Sequence, residues 1–230
     1  MGGDRRRLNL SLSMQAPQQR EAWKILRAIP PGQRTDAMCR MVCRAREQDQ
    51  LLDAVRSVNA DTVFVLPNNK NIILAAEQAV HLSEEKKIVV VPTKTIPQGI
   101  SAMLAVDPDE EDEKLLVQAM RDAAAHVRSG QVTYAARDSE FDGKKIKQGE
   151  YLSLSEGKLC ASGREASVIK KLVREMVSDD SAFATVIYGE GVSAEQAADV
   201  EALLRKENKE LEISVIDGGQ PVYYYIISVE

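Results

Sequence analysis

Two apolar runs, Val63-Phe64-Val65-Leu66 and Ile88-Val89-Val90-Val91, are each followed at once by a polar stretch. Four consecutive apolar positions rich in β-branched residues suit a strand of a parallel sheet that is buried on both faces. Between the runs, Ile72, Ile73, Ala76, Ala79, Val80 and Leu82 recur at helical spacing and predict a helix over residues 72–85. Strand, helix, strand is a βαβ unit, whose crossover is right-handed in nearly all cases. The polar stretches Pro67-Asn68-Asn69-Lys70-Asn71 and Pro92-Thr93-Lys94-Thr95-Ile96-Pro97-Gln98-Gly99 then become loops at the carboxyl ends of neighbouring strands. Ligands of open α/β sheets bind at that edge. The candidate binding residues are therefore Asn68, Asn69, Lys70, Asn71, Thr93, Lys94, Thr95, Gln98 and Gly99, a set suited to an anionic or polar group.

The pattern changes further along. Leu115, Leu116, Ala119, Met120 and Ala123 predict a helix behind the acidic run at residues 107–113, whose charge suits a helix N-terminus. Alternation at Val132 and Tyr134 predicts a strand over residues 131–137. Asp142-Gly143 and Glu156-Gly157 each sit between strand-like runs and predict hairpins. Residues 167–176 read as an amphipathic helix and residues 183–188 as a buried strand. Ser193-Ala194-Glu195-Gln196 has the form of a capping box, with Ser at the N-cap and Gln at N3. Residues 212–216 and 223–229 supply two closing strands. In the cluster Tyr223-Tyr224-Tyr225 alternate rings face opposite sides, and the simplest role is to finish the core.

The beginning of the chain differs again. Residues 7–14 alternate strictly, with Leu8, Leu10 and Leu12 on one face and Asn9, Ser11 and Ser13 on the other. Pro17 opens a helix carrying Trp23, Ile25, Leu26 and Ile29, and Pro30-Pro31-Gly32 breaks it. A second helix is predicted from about Arg34 through Met38, Met41, Val42, Ala45 and Leu51. The expected organisation is a strand-helix-helix segment at 1–56, a βαβ parallel-sheet part at 57–106 and a mixed-sheet α+β part at 107–230. The fold class is α/β, with α+β character in its second half.

Charge sharpens this division. The chain of 230 residues carries a net charge of −5. Residues 1–56 hold a net +5 and the remainder −10, which hints at partners of opposite character. No apolar run approaches the ~18 residues that a membrane span needs, and Gly2-Gly3-Asp4-Arg5-Arg6-Arg7 lacks the apolar core of a signal peptide. Three cysteines, an odd number, argue for a reducing cytoplasm rather than a disulfide framework. Cys39 and Cys43 stand at helical spacing, but Cys160 is remote and His81 and His126 are isolated, so no metal site is expected. The acidic run lacks EF-hand spacing.

Several motifs resemble the C-terminal region of FakA, the kinase-bearing component of bacterial fatty-acid kinase. They are Leu66-Pro67-Asn68-Asn69-Lys70-Asn71-Ile72 with Val91-Pro92-Thr93-Lys94-Thr95-Ile96-Pro97-Gln98-Gly99, then Gly143-Lys144-Lys145-Ile146 with Gly149-Glu150-Tyr151-Leu152, and finally Gly218-Gly219-Gln220-Pro221-Val222-Tyr223-Tyr224-Tyr225. The resemblance covers residues 57–230. It implies a DegV-like fold and a region that docks acyl-binding partner proteins of the DegV type while the kinase domain, related to dihydroxyacetone kinase, lies elsewhere. Neither that domain nor a middle domain is expected within residues 1–56. The basic segment stands in place of the region's first strand and loop, so an exposed sheet edge is expected beside residues 63–66.

Residues 1–56 are similar to ribbon-helix-helix proteins of the plasmid-partition type. That likeness implies a homodimer whose paired strands enter the DNA major groove. Asn9, Ser11 and Ser13 would meet base edges, Gly32, Gln33, Arg34 and Thr35 a phosphate, and Arg7 with Arg5 and Arg6 the backbone.

Catalysis finds no footing. The chain has no phosphate-binding Gly-x-x-x-x-Gly-Lys-Ser/Thr loop, no Gly-x-Gly-x-x-Gly before a helix, no nucleophile elbow and no Cys with a His partner. The clustered aspartates that hold Mg-ATP in dihydroxyacetone-kinase-like domains are lacking as well. A lone Lys70 or Lys94 anchors a phosphate or carboxylate without catalysing anything. The leading expectation is a non-catalytic, cofactor-free, cytoplasmic binding module that docks an acyl-binding partner in a phosphoryl-transfer system. The alternative is a dimeric DNA-binding protein with a fused C-terminal domain, and a third reading places a small anion in the crevice.

Overall fold

The computed structural model describes residues 40–41, 48–141 and 144–230. The expected strand at 7–14, the helix after Pro17 and the expected DNA-contacting residues lie outside these, as do Asp142 and Gly143. The chain divides after His126 into two compact units.

The first unit holds a parallel three-stranded sheet in the order β1-β2-β3. These strands are β1 (Arg40–Met41), β2 (Thr62–Leu66) and β3 (Lys87–Val90). Helices α1 (Gln48–Arg56), α2 (Lys70–Leu82), α3 (Ile96–Leu104) and α4 (Glu113–His126) accompany it. The sheet is covered on both faces, as the uninterrupted apolar runs require. On one face Val63, Val65 and Ile88 pack with Leu51, Leu52 and Val55 of α1 and Ala76 and Ala79 of α2. On the other, Phe64, Leu66 and Val91 meet Ala102 of α3 and Leu116, Met120 and Ala124 of α4. The result is three layers, helix-sheet-helix. The expected division at 106/107 falls between α3 and α4, which share one core cluster.

Three expectations change here. The helix predicted from Arg34 through Leu51 is interrupted, because Arg40 and Met41 are extended and pair in parallel with Val65 and Leu66. Pairing satisfies their backbone groups along the ladder, a long-range gain that outweighs local helical periodicity. The same pairing covers the edge of β2 that the sequence leaves bare. On α4, Leu115 is 58% exposed, while Leu116 and Met120 turn to the core.

The second unit is built on a mixed six-stranded sheet, ordered β10-β9-β11-β4-β7-β8. Its strands are β4 (Arg128–Tyr134), β7 (Tyr151–Ser155), β8 (Lys158–Gly163), β9 (Phe183–Tyr188), β10 (Glu212–Asp217) and β11 (Tyr225–Val229). A small hairpin, β5 (Ser139–Phe141) with β6 (Lys144–Ile146), lies apart from that sheet. Helices α5 (Glu165–Met176) and α6 (Ala194–Glu207) share one core with it, in which Leu172, Val173 and Met176 meet Val132, Val186, Ile227 and Leu204. The β7–β8 turn has Glu156 at φ 50° and Gly157 at φ 76°, the two positive values of a tight hairpin. The capping box on α6 is present in full: Gln196 N–H donates to Ser193 Oγ and Ser193 N–H to Gln196 Oε1. Both edges of the sheet are guarded. Lys171 Nζ donates to the Cys160 carbonyl on β8, and charged Glu212 and Asp217 end β10.

Candidate functional site

β2 and β3 run parallel, so the residues that follow them emerge at one end of the sheet. Directly after β2, Asn68 takes φ 54°, a left-handed turn that Asn tolerates better than most residues. Asn69 then caps α2, its side-chain oxygen accepting from Asn71 N–H at 2.9 Å. After β3, Thr95 caps α3 and accepts from Gln98 N–H at 3.4 Å. Gln98 Oε1 in turn accepts from Lys94 N–H at 2.8 Å, which ties cap and first turn together. Pro97 sits in that first turn, where its missing N–H is no loss.

Of the nine candidate binding residues expected in two loops, four are therefore helical: Lys70 and Asn71 open α2, and Gln98 and Gly99 lie in α3. This alters the chemistry of the site. Two helix N-termini, each with a partial positive charge, stand at the ends of neighbouring strands. The two segments are joined by Asn68 N–H donating to Thr93 Oγ1 at 3.1 Å, and Thr93 itself is buried. They also touch at Gly99. A Cβ built there would lie 2.2 Å from Asn68 Oδ1, so the glycine leaves the space that the Asn68 amide fills. Both Oδ1 and Nδ2 of Asn68 are buried and lack a hydrogen-bond partner among the described residues. Buried polar groups are normally paired, so an orphaned amide at the carboxyl edge of the sheet marks a candidate site. Lys70, Asn69, Asn71 and Lys94 are exposed around it.

The structure thus brings Asn68, Thr93 and Gly99 into contact and leaves the two lysines on the rim. The Asn68–Gly99 contact is invisible to sequence patterning, because it joins residues far apart in the chain. The cap of α3 has a local signal in Thr95-x-x-Gln98 with Pro97, which a loop assignment overlooks. The acidic run has a local role: Asp107, Glu110 and Asp112 each accept from a backbone N–H two residues on, and Glu113 pairs with Lys87 at 2.7 Å. Among the described residues no cluster of three His, Cys, Asp or Glu side chains can hold a metal, and no helix is long and apolar enough to cross a membrane.

The profile of the FakA-like C-terminal family, built on the C-terminal part of fatty acid kinase, matches residues 29–230. The chain belongs to this family. The protein YloV of Bacillus subtilis is 45% identical over 183 residues, 79% of this chain and 33% of that protein. An uncharacterised protein of Staphylococcus aureus is 38% identical over 185 residues, again 79% of this chain and 33% of its own. The chain spans about a third of the length of the curated relatives it matches.

Among solved structures, a DegV-family protein of Ruminococcus gnavus with vaccenic acid superposes with a TM-score of 0.55 at 14% identity, covering 80% of this chain and 76% of that one. The fatty acid kinase B3 protein of Streptococcus pneumoniae, loaded with linoleic acid, gives 0.54 at 12% identity, covering 80% and 76%. The dihydroxyacetone kinase from C. freundii, in complex with AMP-PNP and Mg2+, gives 0.52 at 15% identity, covering 80% of this chain and 41% of that one. At such identities the likeness is one of fold, and that fold is DegV-like. The family match takes in Gly32, Gln33, Arg34 and Thr35, and none of these matches supports a ribbon-helix-helix segment.

Proposed function

We propose that this chain is a non-catalytic docking module, which engages an acyl-carrying protein of the DegV type within a fatty-acid kinase system. The observation that carries the reading is the orphaned Asn68 amide set between two helix N-termini. The two helix N-termini and the exposed rim lysines beside it suit a polar or anionic group on a partner. Membership of the FakA-like C-terminal family supports the same partner class. The residues in the crevice bind and orient; none is a nucleophile paired with a base.

Calorimetric titration of the full chain with a fatty-acid-loaded DegV-type protein from the same genome tests the reading. The expected result is a saturable isotherm that weakens in Lys70→Gln and Lys94→Gln. An absence of heat and of co-migration on size exclusion overturns it.

A further inference from the structure

All six tyrosines of the chain gather at one end of the second unit's sheet. Tyr134 ends β4, Tyr151 begins β7, Tyr188 ends β9, and Tyr223 and Tyr224 lead into β11, which Tyr225 opens. Strand register places them side by side: Tyr134 opposes Tyr151, and Tyr225 opposes Tyr188. The ring of Tyr224 lies 6.0 Å from that of Tyr134 and 5.1 Å from that of Tyr151, tilted against both. Only Tyr225 is fully buried, whereas Tyr134 is 45% exposed. Core filling therefore explains Tyr225 and part of Tyr151, Tyr188 and Tyr224, which pack against the same core, but it leaves the exposed ring of Tyr134 and the outer parts of the others unexplained.

Two further features mark this end of the sheet. Glu165, in the first turn of α5, lies near enough for its charge to act on both Tyr151 and Tyr225, which places a carboxylate beside the rings. Val222 takes φ 76°, and Tyr223 N–H donates to the Pro221 carbonyl at 2.9 Å across it. This is a γ-turn of the rare positive-φ kind, strained for a β-branched residue. Thr133 Oγ1 donates to the Val222 carbonyl at 2.8 Å and holds the turn, yet the side chain it presents is 52% exposed. Strain held in a turn that exposes an apolar side chain indicates a binding surface.

Ring faces are electron-rich and attract cations, most effectively where a carboxylate adds its charge. Arginine suits such a site best, since its planar guanidinium stacks on rings and pairs with carboxylates, while its stem covers apolar surface. We propose that this tyrosine crest docks an arginine side chain presented by a partner protein, its guanidinium against Tyr134 and Tyr224 beside Glu165 and its stem on Val222. The crest belongs to the second unit, and its assignment does not rest on the crevice in the first.

The test is 19F NMR of the full chain labelled with 3-fluorotyrosine, titrated with a capped Gly-Arg-Gly peptide and with its citrulline counterpart. The arginine peptide is expected to shift the Tyr134 and Tyr224 signals saturably and to leave Tyr225 unmoved, while the citrulline peptide does nothing. Glu165→Gln weakens binding several-fold, and Tyr134→Leu likewise. The Tyr225 signal reports the fold of each variant. Equal shifts with citrulline, no shifts with arginine, or undiminished binding in Glu165→Gln with the Tyr225 signal intact overturn the proposal.

Discussion

At the carboxyl ends of β2 and β3 the chain sets amides, lysines and two helix N-termini. At those of the parallel pair β9 and β10 it sets glycines and a loop that leads into tyrosines, near the Glu165 carboxylate of α5. Both places obey one topological rule, that strand ends in parallel sheets gather loops where ligands bind. Their chemistry is opposite, one end rich in donors and the other in electron-rich rings and a negative charge. The units that carry them also differ. The first is three-layered, and its central strand packs on both faces. The second has one shared helix layer, whose core runs the width of its sheet. Topology selects where a surface forms; the residues after each strand select what it binds.

The largest effects test the two cores behind these surfaces. Leu66 and Leu172 are fully buried, one in each unit. Each Leu→Ala change is expected to cost about 3 kcal/mol in a urea unfolding series. Leu115→Ala, on the exposed side of α4, is expected to cost less than about 0.5 kcal/mol. A large loss at Leu115 breaks the assignment of the faces of α4.

The next effect belongs to the second unit alone. Burial pushes the Tyr225 hydroxyl up to about 12 from an ordinary 10.0, with the charges of Glu165, Tyr151 and Asp199 adding to the rise. The folded state then keeps this proton while the unfolded chain releases it. The stabilisation is complete below the unfolded pKa of about 10 and is lost as pH rises towards about 12, on the order of 2 kcal/mol in all. Tyr225→Phe is expected to flatten that alkaline decline in chemical denaturation. An unchanged profile contradicts the burial of this hydroxyl.

Smaller effects bear on the first unit. Asn68→Gly removes two unsatisfied buried atoms and relieves the positive φ. It is expected to stabilise the chain by about 1 kcal/mol while weakening partner binding. Loss of stability with unchanged binding makes Asn68 a structural residue. Thr95→Ala and Ser193→Ala, at helix caps in different units, each cost about 1 kcal/mol if both caps work as drawn.

Much of this architecture is legible in the sequence where one local signal acts alone. β9 falls on the β-branched run at 183–188, and the capping box at Ser193 opens α6. The Glu156-Gly157 hairpin follows from two residues that tolerate positive φ. Local signals fail where two compete. Pro97 and Gly99 read as loop residues, yet Pro is harmless in a first turn and Gly99 is needed for the approach of Asn68. β1 escapes sequence patterning because a two-residue strand has no periodicity, and pairing with β2 alone defines it. The residues of the crevice are identifiable by their position behind two strands. Their joining through Thr93 and Gly99 depends on sheet register, which no local pattern contains.

The central claim is that the crevice between the α2 and α3 N-termini is where the partner docks. Hydrogen–deuterium exchange on the full chain, alone and saturated with the fatty-acid-loaded DegV-type protein, tests it most directly. The account predicts new protection confined in the first unit to residues 67–72 and 92–99. Binding that leaves both stretches unprotected contradicts it.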